Sequence, residues 1–542
     1  MELHPATLWE AISDVVPTRP VQVQGAVRWT WREFDERAGR LAGALLAHGV
    51  GAGSKVGELL YNGPEFMEGY FAALKIRAVP FNVNYRYTAE EIAYLLENAD
   101  ASALIYHSSL AGVVTEAAAR APSLQLLLEV DDGGGHVDGS IAYEDAIAGA
   151  EPAPRIVRSP DDVSMIYTGG TTGMPKGVVV KVGPALENLL ETVPPLAGHG
   201  PVAVDDMPAF AAALEGNDVL VSLPAPPLMH NTGLAIGATP SLASGGTIVY
   251  LPGRKFDAAE LWDTVAAEHV NAITVVGDPF ARPMLQELDS HPGRDLGHVR
   301  VIASSGAMFS SEVKTGLLGH LPGAMILDII GASEGAMGVS IATAAAPVDT
   351  GRFQPGPGVI VVTEDGRRVE PGSDEPGLVA LPGGAEGYHK DAAKTAKTFQ
   401  VIDGIRYTIP GDFATIDADG MMTLLGRGSS CINTAGEKVY PEEVEEVLKA
   451  QPGVEDALVF GVPDARFGER VACVLARASG TDDAVDAILA AARERLASYK
   501  LPRDVVVVDV VPRTPVGKPD YPTARELFEA AASDRAEAGD RP

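Results

Sequence analysis

The chain of 542 residues contains few cysteines and few basic residues. Its two cysteines, Cys431 and Cys473, form no CxxC pair, and there is no HExxH segment. A disulfide framework or a structural zinc site is therefore not expected. Acidic residues outnumber basic ones by 73 to 42, which gives a net charge of −31. No nucleic-acid-binding surface is expected, because phosphate binding depends on Lys and Arg.

Long apolar runs are also missing. The first residues, MELHPATLWEAI, contain no basic stretch followed by an apolar one, so they do not resemble a signal peptide. The longest segment without Asp, Glu, Lys or Arg, 219–253, is interrupted by prolines and by His230 and Asn231. Such a segment is not expected to cross a membrane. We expect a cytoplasmic protein without a transmembrane segment.

The patterns that are present predict several domains. Hydrophobic residues make up 46% of a chain too long for one core. Helical and strand patterns alternate from residue 29, and Thr88 and Glu91 form a capping box, which predicts α/β layers with largely parallel sheets. We predict a large N-terminal domain over 1–428, with a β-rich subdomain at 350–428. A hinge at 429–430 and a small, mobile α+β C-terminal domain at 431–542 would follow.

A segment rich in glycine and threonine, MIYTGGTTGMPKGV at 165–178, is the first candidate site. A Walker A loop needs GK[ST] followed by a helix, but Lys176 stands between Pro175 and Gly177 and both flanks are β-branched. The pattern therefore predicts strand–loop–strand. Exposed amides and hydroxyls there could hold a polyphosphate, although a plain polar hairpin is the alternative. The predicted clamp consists of Thr168, Gly169, Gly170, Thr171, Thr172, Gly173 and Lys176.

Five segments in order resemble the motifs of the ANL superfamily, which contains acyl-CoA synthetases, peptide-synthetase adenylation domains and luciferases. They are YTGGTTGMPKG, GASEG at 331–335, YTIPGD at 407–412 with GR at 426–427, INTAGEKVYPEEVE, and RTPVGKPDY at 513–521. The likeness covers nearly the whole chain. The sequence of the segment KIRAVPFNVNYRY is similar to that of actinobacterial acyl-CoA ligases that act on steroid side chains and very-long-chain acids. The resemblance implies the ANL adenylate-forming fold and an acyl-CoA ligase that uses ATP, Mg²⁺ and CoA on a bulky apolar carboxylic acid.

The resemblance also implies roles for individual residues. Glu334 would bind Mg²⁺, and Lys518 would bridge the carboxylate and the α-phosphate; these are the catalytic candidates. Besides the clamp, the nucleotide-binding candidates are Gly306, Ala307, Ile330, Gly331, Ala332, Ser333, Asp412 and Arg427. The acyl-pocket candidates are His230, Asn231, Gly233, Val276 and Gly306. The CoA-tunnel candidates are Ala435, Gly436 and Glu437, and Ser429 would be the hinge residue.

Alternatives to the complete ligase remain. Ile330 stands where the family often has an aromatic residue against adenine, and Ala435 stands where it commonly has glycine. A ligase that only forms the thioester from a supplied acyl-adenylate is therefore an alternative, as is a non-catalytic adenylate-binding regulator. GASEG also matches the GxSxG elbow of serine hydrolases, but that elbow needs strand–Ser–helix. A hydrolase triad would also need a histidine after Ser333, and the only one in the sequence is His389. A homodimer is a further option for the assembly.

Overall fold

The computed structural model describes residues 1–170, 173–346, 350–427, 432–434, 437–464, 468–478, 485–493, 495–496, 498–514 and 518–537. The elements of the first stretch are α1 (Pro5–Val15), β1 (Pro20–Gln24), β2 (Val27–Thr30), α2 (Trp31–Ala47), β3 (Lys55–Leu59), α3 (Pro64–Lys75), β4 (Val79–Asn82), α4 (Ala89–Ala99), β5 (Ala101–His107), α5 (Ala111–Ala118), β6 (Leu126–Val130), β7 (Ile141–Ala142), α6 (Tyr143–Gly149), β8 (Val163–Gly170), β9 (Gly173–Lys181) and α7 (Val182–Thr192). The second stretch contains α8 (Met207–Ala213), β10 (Val221–Pro224), α9 (Thr239–Ala243), β11 (Thr247–Tyr250), α10 (Ala258–Glu268), β12 (Ala272–Val275), α11 (Gly277–Ser290), β13 (Val301–Ser305), α12 (Ser311–His320), β14 (Met325–Ala332) and β15 (Gly335–Thr343).

The remaining elements are mainly short strands followed by the C-terminal module. The third stretch contains β16 (Arg352–Pro355), β17 (Ile360–Val362), β18 (Gly377–Pro382), β19 (Gly387–Tyr388), α13 (Ala392–Thr398), β20 (Phe399–Ile402), β21 (Ile405–Thr408), β22 (Asp412–Ile416) and β23 (Met422–Arg427). The fourth contains β24 (Ile432–Thr434), β25 (Glu437–Val439), α14 (Pro441–Lys449), β26 (Val454–Asp464), β27 (Gly468–Arg477), α15 (Val485–Ala492), β28 (Asp504–Val508) and α16 (Tyr521–Glu537). The predicted α/β class, with a large N-terminal and a small C-terminal domain, is confirmed.

One sheet has the strand order β7-β6-β5-β3-β4-β8-β9-β19. Neighbours from β7 to β8 are parallel, whereas β9 returns antiparallel to β8 and pairs with β19. Leu104 and Ile105 point to opposite faces of β5, and both are fully buried. Burial on both faces is typical of a parallel strand covered by helices on each side. The predicted capping box at Thr88 and Glu91 is confirmed at the start of α4.

A second sheet runs in the order β2-β1-β11-β10-β12-β13-β14-β15-β16-β23-β22-β18-β21-β20, with β17 beside β18. Neighbours from β1 to β14 are parallel. The β14–β15 pair is antiparallel, and the strands that follow are the short antiparallel strands predicted from the Gly- and Pro-rich sequence. Each of the two parallel arrays thus ends in an antiparallel hairpin.

The C-terminal module is a separate sheet covered by helices on both faces. Ala457 and Val459 of β26 share one buried cluster with α14 and α15, whereas Leu458 and Phe460 share another with α16. This division follows from the two-residue period of a strand. Within the described ranges, no helix is both long and apolar enough to cross a bilayer.

The stretch predicted as β-rich also contains a helix, α13. Asp391 caps it by accepting a hydrogen bond from the Lys394 N–H at 2.9 Å. The helical residues AAKTAKT include two lysines and three alanines, which are good helix formers. This helix follows directly on β19, so the region is not purely β.

Candidate active site

Two hairpins carry most of the nucleotide-binding candidates. In β8–β9, Thr168 lies opposite Lys176, and Gly170 lies opposite Gly173. The predicted strand–loop–strand is therefore confirmed, and Gly169 is part of β8. Glycine is needed at 177 because a Cβ there would stand 2.9 Å from the Tyr167 ring. This close approach keeps the two strands packed at the base of the loop.

The second hairpin, β14–β15, has Ser333 and Glu334 as its two-residue turn. Gly331 pairs with Ala336, and Ala332 pairs with Gly335. The Glu334 carboxylate accepts a hydrogen bond from the Tyr388 hydroxyl, and the Glu334 carbonyl accepts one from the Ala385 N–H at 2.9 Å. The side chain proposed to bind a metal is thus held by a segment that is remote in sequence.

Lys176 of the first hairpin is held by the same remote segment. Its ammonium lies 2.9 Å from the Asp391 carboxylate. Because the N–H of Lys394 and the Lys176 ammonium both donate to Asp391, the pKa of this carboxyl lies below its usual range. Asp391 is therefore charged at neutral pH and remains an ion-pair partner for Lys176.

The remaining nucleotide candidates lie on neighbouring strands. Ile330 is only 8% exposed and packs in the apolar cluster of the β-rich region, so only an edge of its side chain is open. Asp412 begins β22, is 8% exposed, and lies opposite Arg427 of β23. Ala307 follows Gly306 directly after β13. The register therefore puts two nucleotide-binding candidates, Asp412 and Arg427, opposite each other.

Lys518 reaches the N-terminal domain from the C-terminal module. A Cβ at Gly306 would lie 3.9 Å from Lys518 Cε, 3.8 Å from Val276 Cγ1 and 3.7 Å from Thr232 Oγ1. Burial, followed by the nearby Lys518 and Arg86, lowers the pKa of His230 to about 4. His230 is therefore neutral at neutral pH and places no second positive charge beside Lys518.

Two acyl-pocket candidates, His230 and Asn231, directly precede an uncommon turn of π-helix, Thr232–Ala238, which contains a third, Gly233. A Cβ at Gly233 would stand 2.4 Å from the Pro227 carbonyl oxygen, which explains why glycine is required there. π-helical turns occur frequently at functional sites. The sequence did not predict this turn, because a widened helical turn has no distinct hydrophobic period.

Some predicted residues lie outside the described residues: Thr171, Thr172, Ser429, Ala435 and Gly436. For Arg427 and Glu437 only the backbone is described, in β23 and β25 respectively. The proposed hinge and most of the CoA tunnel therefore remain predictions from the sequence.

The sequence missed three residues that the fold brings to the site: Tyr388, Asp391 and Asn82. The Asn82 amide donates to the carbonyl oxygens of Met229 and Tyr167, at 2.6 and 3.0 Å, and accepts from the Tyr167 N–H. It thereby ties the acyl-pocket segment to the phosphate hairpin. The sequence signal that could have identified Asn82 is a polar residue at the end of the buried strand in PFNV.

The structure gives no support to a hydrolase centred on Ser333. The turn that holds Ser333 leads into β15 rather than a helix, so the strand–Ser–helix elbow is absent from this described segment. The pKa of His389 is lowered by burial and by nearby Lys390 and Lys55, and its backbone N–H donates to the Gly177 carbonyl at 2.8 Å. This backbone bond places His389 beside β9 of the phosphate hairpin.

Replacement of Ser333 by alanine tests this point. We expect Ser333→Ala to lower adenylation by only about tenfold, because a single hydrogen bond from a hydroxyl to a charged phosphate would be lost. No acyl-serine should appear by mass spectrometry in the unmodified protein. A stable acyl-serine, together with complete loss of activity in the variant, would restore the hydrolase alternative.

The C-terminal module packs against the N-terminal domain through α14. A Cβ at Gly426, where φ is +112°, would lie 1.9 Å from Glu442 Oε2, so this contact requires glycine. Glu446 lies nearby, with Oε2 3.8 Å from the Cβ position of Gly351. Two carboxylates of one helix thus face the N-terminal domain.

Docking in this pose should depend on pH through Glu446. Burial, opposed by Lys449 and Lys314 and reinforced by Asp278 and Asp328, raises the pKa of Glu446 to about 7. The docked state therefore holds a proton that a solvent-exposed Glu446 would release above about pH 4.5. We expect the docked fraction to fall as the pH rises from about 4.5 to about 7 and to level off above that, measured by FRET between dyes on the two domains.

Glu446→Gln should flatten this pH profile, because an amide does not titrate. The matched control is Glu443→Gln on the same helix, since Glu443 pairs with Lys500 inside the C-terminal module at 2.6 Å. An unchanged profile in Glu446→Gln would assign the titration to another group.

Comparison with known proteins identifies the family of the chain. The model of the AMP-binding enzyme family matches residues 9–389, and that of the AMP-binding enzyme C-terminal domain matches 443–518. A 3-oxocholest-4-en-26-oate–CoA ligase of Rhodococcus rhodochrous is 41% identical over 97% of this chain and 96% of its own. The medium-chain acyl-CoA ligase Mig of Mycobacterium avium is 39% identical over 95% and 96%. ATP-bound MatB from Rhodopseudomonas palustris has a TM-score of 0.80 at 26% identity, covering 97% of this chain and 99% of that one.

Proposed function

Because the chain belongs to the family of AMP-binding enzymes, we propose that it is an acyl-CoA ligase that works in two half-reactions. A carboxylate first displaces pyrophosphate from ATP to give an acyl-adenylate. The CoA thiol then displaces AMP and loses its proton, which gives the thioester. The observation that carries the proposal is the approach of Lys518 to Gly306, Val276 and Thr232.

The first half-reaction brings two anions together, so neutralisation and alignment dominate catalysis. Lys518 is assigned to the carboxylate and the α-phosphate, and Lys176 to the outer phosphates. Neutral His230 limits the positive charge around Lys518. Asp412, opposite Arg427, is assigned to the ribose hydroxyls. These residues hold both reactants while the acyl–phosphate bond forms.

The side chains at the Glu334 turn fit a magnesium ion that arrives with ATP. Across the described part of the chain, no group of three or more His, Cys, Asp or Glu side chains is arranged to hold a metal by itself. Mg²⁺ bound to ATP needs only one or two carboxylates, because phosphates and water supply the other ligands. The ion would neutralise phosphate charge. We assign Oε2 of Glu334 to it, since Oε1 accepts from Tyr388.

The second half-reaction requires CoA to reach the acyl-adenylate. We propose that the C-terminal module turns about residues 429–430, which removes Lys518 and brings residues 435–437 to the site. The Glu442–Gly426 contact belongs to the adenylating pose and would have to open. The alternative of thioester formation alone is not favoured, because Lys518 already lies at the site where adenylation would occur.

For the substrate we propose a bulky apolar acid of the steroid side-chain type. Its support is the printed activity of the Rhodococcus rhodochrous relative and the small residues in the π-helical turn, TGLAIGA. We propose cytoplasmic activity, because ATP and CoA would both be available there.

A panel of acids tests the proposal. Thioester formation should be measured with a C26 or C24 steroid acid, medium- and long-chain fatty acids, benzoate and malonate, each with ATP, Mg²⁺ and CoA. We expect the steroid and long-chain acids to give the highest rates of thioester formation. Pyrophosphate release without CoA would exclude the thioester-only alternative, and absence of thioester with every acid would contradict the proposed function.

A further inference from the structure

One segment touches both hairpins of the candidate site. We name residues 384–395 the strap. Its β19 pairs with β9, with Gly387 opposite Val179 and Tyr388 opposite Val178. On the other side, the Ala385 N–H donates to the Glu334 carbonyl at 2.9 Å. The hairpins belong to different sheets, and the strap joins them through backbone hydrogen bonds.

The backbone of the strap leaves little room for adjustment. Gly384 has φ +81°, and a Cβ there would stand 2.5 Å from the Glu334 carbonyl oxygen. The Tyr388 N–H donates to Thr395 Oγ1 at 3.0 Å, and that hydroxyl donates to the Asp391 carbonyl at 2.7 Å. Tyr388 and Asp391 are therefore fixed relative to each other by the first turn of α13.

Both fixed side chains engage a residue assigned to ATP. The Tyr388 hydroxyl donates to Glu334 Oε1, and Asp391 pairs with the Lys176 ammonium at 2.9 Å. Lys394 lies over the Tyr388 ring, with its ammonium 4.2 Å from the ring centroid. One short segment thus orients the proposed metal ligand and the proposed phosphate lysine at the same time.

We propose that the strap sets the distance between the magnesium ligand and the phosphate lysine, with Tyr388 and Asp391 as positioning residues for Mg·ATP. This inference rests on the proposed function, since Glu334 and Lys176 take their roles from it. An ammonium has three donors, so Lys176 can keep Asp391 and still donate to a phosphate. A carboxylate has two oxygens, so Glu334 can keep Tyr388 and still bind the ion.

The direction in which one substitution changes the affinity for Mg·ATP distinguishes a positioning role from a simple electrostatic effect. Asp391 is an anion near the place where a triphosphate would bind, so its charge alone opposes ATP. If Asp391 had no positioning role, Asp391→Asn would tighten Mg·ATP binding. If it orders the long Lys176 side chain, the same change should weaken binding by about fivefold to tenfold, because the rotamer freedom of lysine must then be lost on binding.

The experiment measures Mg·ATP affinity by isothermal titration calorimetry, without acid or CoA. Asp391→Asn should raise Kd by the amount stated, and it should have no further effect in a Lys176→Ala background. The matched control is Asp100→Asn, which removes the partner of neighbouring Lys390 at 2.8 Å. Asp100 has φ +51°, a conformation that asparagine tolerates, so the control should keep the fold and Kd.

Tyr388→Phe tests the other half of the strap. We expect the Mg²⁺ concentration for half-maximal ATP binding to rise about threefold to tenfold, since a hydrogen bond to a charged group is lost. Tyr499→Phe, in the C-terminal module, should leave it unchanged.

The inference is overturned if Asp391→Asn binds Mg·ATP as tightly as the unmodified protein or more tightly, or if its effect persists without Lys176. A different result would contradict the proposed function: the unmodified protein would bind Mg·ATP but form no thioester. In that case the affinity measurements still decide whether the strap orients the two residues.

Discussion

Lys518→Ala is expected to lower the rate of acyl-adenylate formation by roughly 10²–10³-fold, the usual cost of removing a charge-stabilising donor. Lys518 Cε lies 3.9 Å from the Cβ position of Gly306, in the region where the carboxylate would approach. The His230 pKa of about 4 keeps that imidazole neutral, so it cannot replace the lost cation. Pyrophosphate release with acid and ATP measures this step.

The same variant should convert supplied acyl-AMP and CoA to thioester within about threefold of the unmodified rate, because an interaction made only in one transition state affects only that step. The control is Lys500→Ala, since Lys500 pairs with Glu443 within the C-terminal module. We expect it to leave both rates intact. Equal losses in both half-reactions for Lys518→Ala would contradict two poses of the C-terminal module.

The phosphate hairpin could be predicted because its signal is local. β-Branched residues flank the glycines, and the paired strands are neighbours in sequence. The strand before Ser333 and Glu334 also has a local signal, the six-residue and mainly apolar run MILDII. The interpretation of each hairpin as half of one site came from the family resemblance, because no periodicity relates residues 165–178 to residues 330–335.

The strap could not be predicted in the same way. Strand β19 has only two residues, and its partner β9 is more than 200 positions earlier in the chain. Tyr388 and Asp391 stand in a segment, GYHKDAAK, that contains no motif quoted from the family. Their importance depends on long-range pairing, which short-range patterns do not encode. The π-helical turn at Thr232–Ala238 escaped prediction because its glycines are required by contacts outside the turn: Gly233 lies against the Pro227 carbonyl and Gly237 against the Pro224 side chain.

Glu334→Gln should reduce adenylation about 100-fold at limiting Mg²⁺. The substitution preserves size, and the amide oxygen can still accept from Tyr388, so the turn should keep its shape. The charge needed by a hard cation is lost, since Mg²⁺ strongly prefers carboxylate oxygens. Higher Mg²⁺ should recover part of the rate, measured by pyrophosphate release across a Mg²⁺ titration.

Glu386→Gln is the matched control for Glu334→Gln, because Glu386 lies on the strap and its side chain pairs only weakly with partly exposed Lys181, at 3.5 Å. It removes one negative charge from the residue that follows Ala385, whose N–H donates to the Glu334 carbonyl, so a general change in electrostatic potential would affect both variants. A loss confined to Glu334→Gln, and relieved by Mg²⁺, assigns the ion to Glu334. If the two variants lose adenylation equally, or if Mg²⁺ brings no recovery, the metal-binding assignment is wrong and the β14–β15 turn serves only to position the nucleotide.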